Sequence, residues 1–147
     1  MTNQQQVDLL KQESVTLWNT WREKHHSTAI ELNGVDLSEA NLGEVNLVEA
    51  DLSQANLQEA DLNNANLHKT RLVGADLSRA NLAGADLSDA DLREANLHKA
   101  YLVNANLAGA NLCGAILFDA QLNWTMLEGA LITPEQLRQA KLESDHL

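Results

Sequence analysis

Leucine stands at every fifth position from Leu32 to Leu127, twenty in succession, and Ile132 extends the register. A period of five suits neither an amphipathic helix, whose apolar residues recur at about 3.6, nor a strand of period two. On an α-helix, five-residue steps advance by about 140° net, so the leucines would spiral round every side and leave no buried stripe. Two residues before each leucine sits a small residue, usually Ala, with Val35, Val45, Thr70 and Thr125 among the exceptions; between the two is mostly Asp or Asn. The unit Ala-(Asp/Asn)-Leu-x-x must therefore turn the chain once per copy, so that Leu and Ala both face one axis. Aromatic residues are only 3% of the chain, which agrees with an interior too narrow for rings. The pattern demands a stack of coils.

Over roughly 30–132 these residues resemble the pentapeptide-repeat family. The resemblance implies an all-β solenoid: a right-handed quadrilateral β-helix with four repeats per coil and about five coils, capped by an N-terminal and a short C-terminal α-helix. It also implies that Leu and the small residue point inward while the other three positions face solvent. At ~4.8 Å per coil the stack stands about 24 Å tall. The expected division is a helical cap at 1–29, the β-helix at 30–132, and a C-terminal cap and tail at 133–147, together one structural domain.

Four units per coil place residues twenty apart in vertical register. One face then reads Asp36, Asn56, Asp76, Asn96, and another Asn46, Asn66, Asp86, Asn106; Asp never lies over Asp. Arg71 falls between Asp51 and Asp91. This arrangement avoids ladders of like charge, although Asp and Asn also interchange freely where only solubility matters. The net charge of −11 is unevenly placed. Residues 30–68 hold eight acids and no Lys or Arg, so Glu31, Asp36, Glu39, Glu44, Glu49, Asp51, Glu59 and Asp61 form an acidic collar, a candidate interaction surface. Such a field repels nucleic acid and anionic lipid.

Stacked coils leave open ends that need caps. A helix is expected from about Asn3 to Lys24, with Val7, Leu10, Leu17 and Trp21 near one face and Trp18 close by; it either covers the first coil or binds a partner. The run Leu17-Trp18-Asn19-Thr20-Trp21-Arg22 is similar to the lead-in of cyanobacterial family members. At the other end, Thr133-Pro134-Glu135-Gln136 is a helix start with a capping box, and a short helix to about Leu142 should follow. The last coil carries Ile116, Phe118, Trp124, Met126 and Leu131 at outward positions. Either the terminal helix, through Leu137 and Leu142, covers part of this surface, or an apolar patch of Ile116, Phe118, Trp124 and Met126 pairs two molecules tail to tail.

No constellation for chemistry is expected. Outward acids in a repeat are a solvated surface. His25, His26, His68 and His98 lack metal-ligand spacing and read as surface histidines, and Cys113 as an outward bystander. Most glycines take the last position of a unit, including Gly74, Gly84, Gly109 and Gly114, where the chain turns. No cofactor or metal is expected. The single cysteine excludes an internal disulfide, no apolar run spans a membrane, and the polar start points to a cytoplasmic protein. The reading is a non-enzymatic scaffold with a protein partner, monomeric or dimeric through its C-terminal end. Resemblance to members that inhibit DNA gyrase implies the alternative, an acidic DNA mimic acting on a type II topoisomerase.

Overall fold

In the computed structural model, which describes residues 1–12 and 14–142, the five-residue period becomes four parallel ladders. Each bridging residue pairs with the one twenty positions on: Glu31 with Asp51, Asp36 with Asn56, Asn41 with Asp61 and Asn46 with Asn66. These pairs begin the first, second, third and fourth faces, and four units close one coil. The β character resides in isolated bridges. Among the described residues no longer strand forms, because each unit spends its remaining residues on a turn.

The unit has one anatomy throughout. Ala40 N–H donates to Leu37 carbonyl at 3.2 Å, closing a turn whose third residue, Glu39, has φ 57°. The next coil is gripped through Leu37 N–H to Asn56 carbonyl, Glu39 N–H to Gln58 carbonyl and Asn56 N–H to Val35 carbonyl, all at 2.8–2.9 Å. The Asp or Asn side chain stabilises the same turn by accepting the N–H two residues on, as Asp36 does from Ser38 at 3.0 Å and Asn96 from His98 at 3.0 Å. Oxygen Oδ1 is common to both amino acids, which explains their interchange better than solubility does.

Leu32 to Leu117 are completely buried, as are most of the intervening alanines. Each such leucine contributes about 1.5–3 kcal/mol of burial. Thr70 and Thr125 enter the same interior without an orphan hydroxyl: Thr70 Oγ1 donates to Leu47 carbonyl at 2.9 Å and Thr125 Oγ1 to Leu102 carbonyl at 2.8 Å.

The N-terminal cap corrects the single helix expected over Asn3–Lys24. It is two helices, α1 (Asn3–Gln12) and α2 (Val15–Lys24), because Ser14 adopts an extended conformation and its hydroxyl accepts Leu17 N–H as an N-cap. The new register swaps two neighbours: Trp18 is fully buried, whereas Leu17 is 51% exposed. Trp18 Nε1 donates to Asn46 carbonyl at 2.8 Å, Asn19 bridges Glu44 carbonyl and Asn46 N–H, and Arg22 donates to Val48 carbonyl at 3.2 Å. These side chains satisfy backbone groups that a preceding coil would have met. Gln6 does likewise for Ala29 carbonyl and Glu31 N–H.

At the opposite end α3 (Pro134–Gln139) starts at the Thr133 N-cap with the full capping box. It stops short of Leu142. The expected tail beyond it, residues 143–147, lies outside the described residues.

Candidate interaction surfaces

The eight acids of the collar lie on every side of the stack. Glu31 and Asp51 stand on the first face, Asp36 on the second and Asp61 on the third. Glu39 and Glu59 occupy the corner after the second face, Glu44 the corner after the third and Glu49 the corner after the fourth, all with φ between 57° and 62°. They encircle the stack and do not converge. Nor are they uncompensated, because cations reach them from outside the segment: Arg71 Nη1 lies 3.4 Å from Asp51 Oδ2, and Arg79 Nη1 lies 3.6 Å from Glu59 Oε1. Helix α1 contributes Lys11, which lines a hollow with Ser38, Glu39 and Asn41. The Ser38 hydroxyl and amide hold the Asp36 carboxyl below its usual range, and Lys11 adds to the effect. Arg22 is pushed down by burial, while the charge of Glu49 works in the opposite direction.

The apolar C-terminal residues are exposed but divided. Ile116 and Phe118 belong to the second face, whereas Met126 lies on the fourth and Trp124 at the corner just before it. Ile116 is 49% and Trp124 70% exposed. The terminal helix does not cover them, because its inward residue, Gln136, reaches the carbonyls of Leu112 and Ala115 at 2.6 and 3.0 Å and seats α3 over the open end of the coil. Leu137 is half-buried there, and Leu142 is exposed.

The histidines stand at the surface, as expected, and three of them also have partners there. His25 stacks on Trp21 with ring centroids 4.9 Å apart, and His98 stacks on Phe118 at 5.8 Å. His68 Nδ1 lies 2.8 Å from Ser88 Oγ, which itself donates to Asp86 Oδ1 at 2.6 Å. The serine proton is thus committed to the carboxylate and the imidazole is the donor, the reverse of the order that activates a nucleophile. Cys113 is exposed.

Sequence reasoning passed over Tyr101. It is 47% exposed on the third face, bridged to Asn81 and beside a shallow hollow lined by Glu59, Asp61, Arg79 and Asn81. The signal was present, since Tyr101 is an aromatic ring at a position that elsewhere holds mostly Asp or Asn. Among the described residues no helix is long and apolar enough to cross a membrane, and no group of three or more His, Cys, Asp or Glu is placed to hold a metal ion.

The model of the pentapeptide repeats matches residues 30–68, 60–98, 70–107 and 95–133. Among solved structures, the chain is similar to the pentapeptide repeat protein Rfr23 from the cyanobacterium Cyanothece 51142, at 32% identity over 82% of this chain and 97% of that one, with a TM-score of 0.62. It is also similar to a pentapeptide repeat protein from the Arabidopsis thaliana thylakoid lumen, at 31% identity over 78% and 72% of the two chains, with a TM-score of 0.44. A third likeness is to QnrB1, a plasmid-mediated fluoroquinolone resistance protein, at 16% identity over 69% and 79%, with a TM-score of 0.35. No curated protein matches the sequence significantly. The family match and the likeness to Rfr23 identify the stack as a right-handed β-helix solenoid.

Proposed function

Because this chain belongs to the pentapeptide-repeat family, we propose that it is a non-enzymatic interaction scaffold, a capped stack that presents side chains to another protein without transforming it. One observation carries this reading: the repeat is divided into an interior of Leu and Ala and an exterior held on fixed corners. Catalysis needs polar groups converging in a cleft. Here the outward groups diverge, and the two surface hollows beside Arg79 share an arginine already paired with Glu59. Each outward residue rides on backbone bonded to neighbouring coils, so binding spends little ordering entropy.

The collar acids Glu44 and Glu49 are the proposed first contacts for a basic or neutral protein surface. Affinity capture from the source cell tests this, with a Glu44→Lys/Glu49→Lys variant as control. A protein retained by the natural chain and lost with the variant supports the scaffold. Identical retention by both removes the collar from it.

The net charge of −10 carried by residues 30–131 favours a second reading, a DNA mimic that inhibits DNA gyrase. Against it, Arg71 and Arg79 interrupt the acidic surface. A supercoiling assay separates the two, since only the mimic inhibits gyrase at micromolar concentration.

A further inference from the structure

The corner after the second face carries a charge on every rung: Glu39, Glu59, Arg79, Lys99 and Asp119. Backbone bonds hold these rungs one above another, from Glu39 N–H to Gln58 carbonyl up to Lys99 N–H to Phe118 carbonyl at 3.0 Å. The Glu59–Arg79 pair at 3.6 Å shows that side chains on successive rungs reach each other. No other corner is built this way. The corner after the third face reads Glu44, Asn64, Gly84, Asn104 and Trp124, the one after the first face reads Gly34, Gln54, Gly74, Glu94 and Gly114, and the one after the fourth face reads Glu49, Lys69, Asp89, Gly109 and Gly129, whose charges alternate and stop at the third rung.

Over its first four rungs the corner runs acid, acid, base, base, and Asp119 above them is satisfied by Lys141 at 3.6 Å. A uniformly basic partner would meet Arg79 and Lys99, and a uniformly acidic one would meet Glu39 and Glu59. The order base, base, acid, acid is what fits, and this is the same corner turned upside down. A two-fold axis perpendicular to the stack, passing between the rungs of Glu59 and Arg79, sets Glu39 against Lys99 of a second copy and Glu59 against its Arg79. Each pairing then occurs twice, as an isologous contact requires. All four side chains are exposed. The corner is neutral over these rungs, so it adds nothing to the repulsion between two molecules of net charge −11, and its paired charges oppose that repulsion.

We propose that this corner is an antiparallel self-association surface, on which two copies lie side by side through Glu39, Glu59, Arg79 and Lys99.

Sedimentation equilibrium tests it. The chain should pass from its monomer mass of 16.1 kDa to twice that value as concentration rises, and the dimer should weaken between about 0.1 M and about 1 M salt, where screening shortens from about 10 Å to about 3 Å. Glu39→Lys and Lys99→Glu each make two of the pairings repulsive and should raise the dimer Kd about tenfold. The two changes move the net charge in opposite directions, so a shared effect cannot come from overall charge. The double variant Glu39→Lys/Lys99→Glu restores every pairing and should recover the natural Kd. Circular dichroism confirms that each variant is folded. A chain that stays monomeric at hundreds of micromolar overturns the proposal. So does a dimer that resists both single variants and is lost in Phe118→Ser or Trp124→Ser, which would place the contact at the apolar end instead.

Discussion

Arg71 stands one rung above Asp51 on the first face, its Nη1 3.4 Å from Asp51 Oδ2, and one rung below Asp91. The arginine thus places a cation between two carboxylates that stand two rungs apart. Its replacement by Asp gives four successive acids on one ladder, from Glu31 to Asp91, whereas Arg79→Asp gives three, Glu39, Glu59 and the new acid, closed by the cation of Lys99. The first variant should lose about 1–2 kcal/mol and the second clearly less. Thermal unfolding of the two variants side by side checks the difference, and equal shifts would undo the ladder argument.

Among the described residues, fourteen other than glycine take a positive φ at the turn, one of them Glu94 at 58°. An L side chain there costs roughly 1–2 kcal/mol against the right-handed conformation, and glycine escapes that cost. Glu94→Gly should therefore be neutral or stabilising by up to about 1 kcal/mol, because relief of strain competes with the greater freedom of the unfolded chain. Gly84→Ala acts oppositely. Its φ is 67° and its Cβ would meet Asn64 Oδ1, so it should destabilise by about 1 kcal/mol or more. Urea unfolding with unchanged slope would establish both signs.

The inward Leu and Ala positions were legible because a five-residue period admits one solution in which they share an axis. The helix break at Ser14 was not, since the apolar spacing of Val7, Leu10, Leu17 and Trp21 runs on as though one helix continued; only the cap shows that Trp18, not Leu17, enters the core. The placement of the collar acids followed from register alone. Their countercharges did not: Lys11 reaches the rim only because α1 docks there, and the corner of Arg79 and Lys99 lies outside the acidic segment. Periodicity assigns a face to each residue, whereas partners depend on how the caps pack and on which rungs neighbour across coils.

Acid should destabilise the stack through particular carboxylates. The Arg93 side chain, bonded to Asp91 at 2.8 and 2.7 Å, holds that carboxyl below its usual range. At Asp76 burial pushes upward, but the Ser78 amide at 3.0 Å and the Gln58 amide at 2.6 Å more than offset it, and its pKa is also lowered. A folded pKa below the unfolded value gives stability that is present above the unfolded pKa of about 3.9 and lost as pH falls through the folded value. Melting temperature should therefore drop below about pH 4. Asp76→Asn keeps the Oδ1 acceptor for Ser78 but removes the titration, so its acid decline should be shallower than that of the natural chain.

The two ends are closed by the same device, a buried glutamine. Gln136 Nε2 donates to the carbonyls of Leu112 and Ala115, and its Oε1 accepts Thr133 N–H at 2.9 Å. Gln6 at the opposite end donates to Ala29 carbonyl and accepts Glu31 N–H. Leu112 carbonyl also receives Ala115 N–H, so Gln136→Leu strands the Ala115 carbonyl and takes the acceptor from Thr133 N–H, and should cost about 1–3 kcal/mol. Gln136→Glu is worse at neutral pH, because a carboxylate without a donor would face two carbonyl oxygens. Protonation supplies one donor, so the Glu variant, unlike the Leu variant, should regain stability relative to the natural chain as pH falls. Denaturant unfolding of both variants at pH 7 and pH 5 distinguishes the polar cap from simple packing: equal losses at both pH values would mean that α3 is held by Leu137 and its apolar neighbours alone.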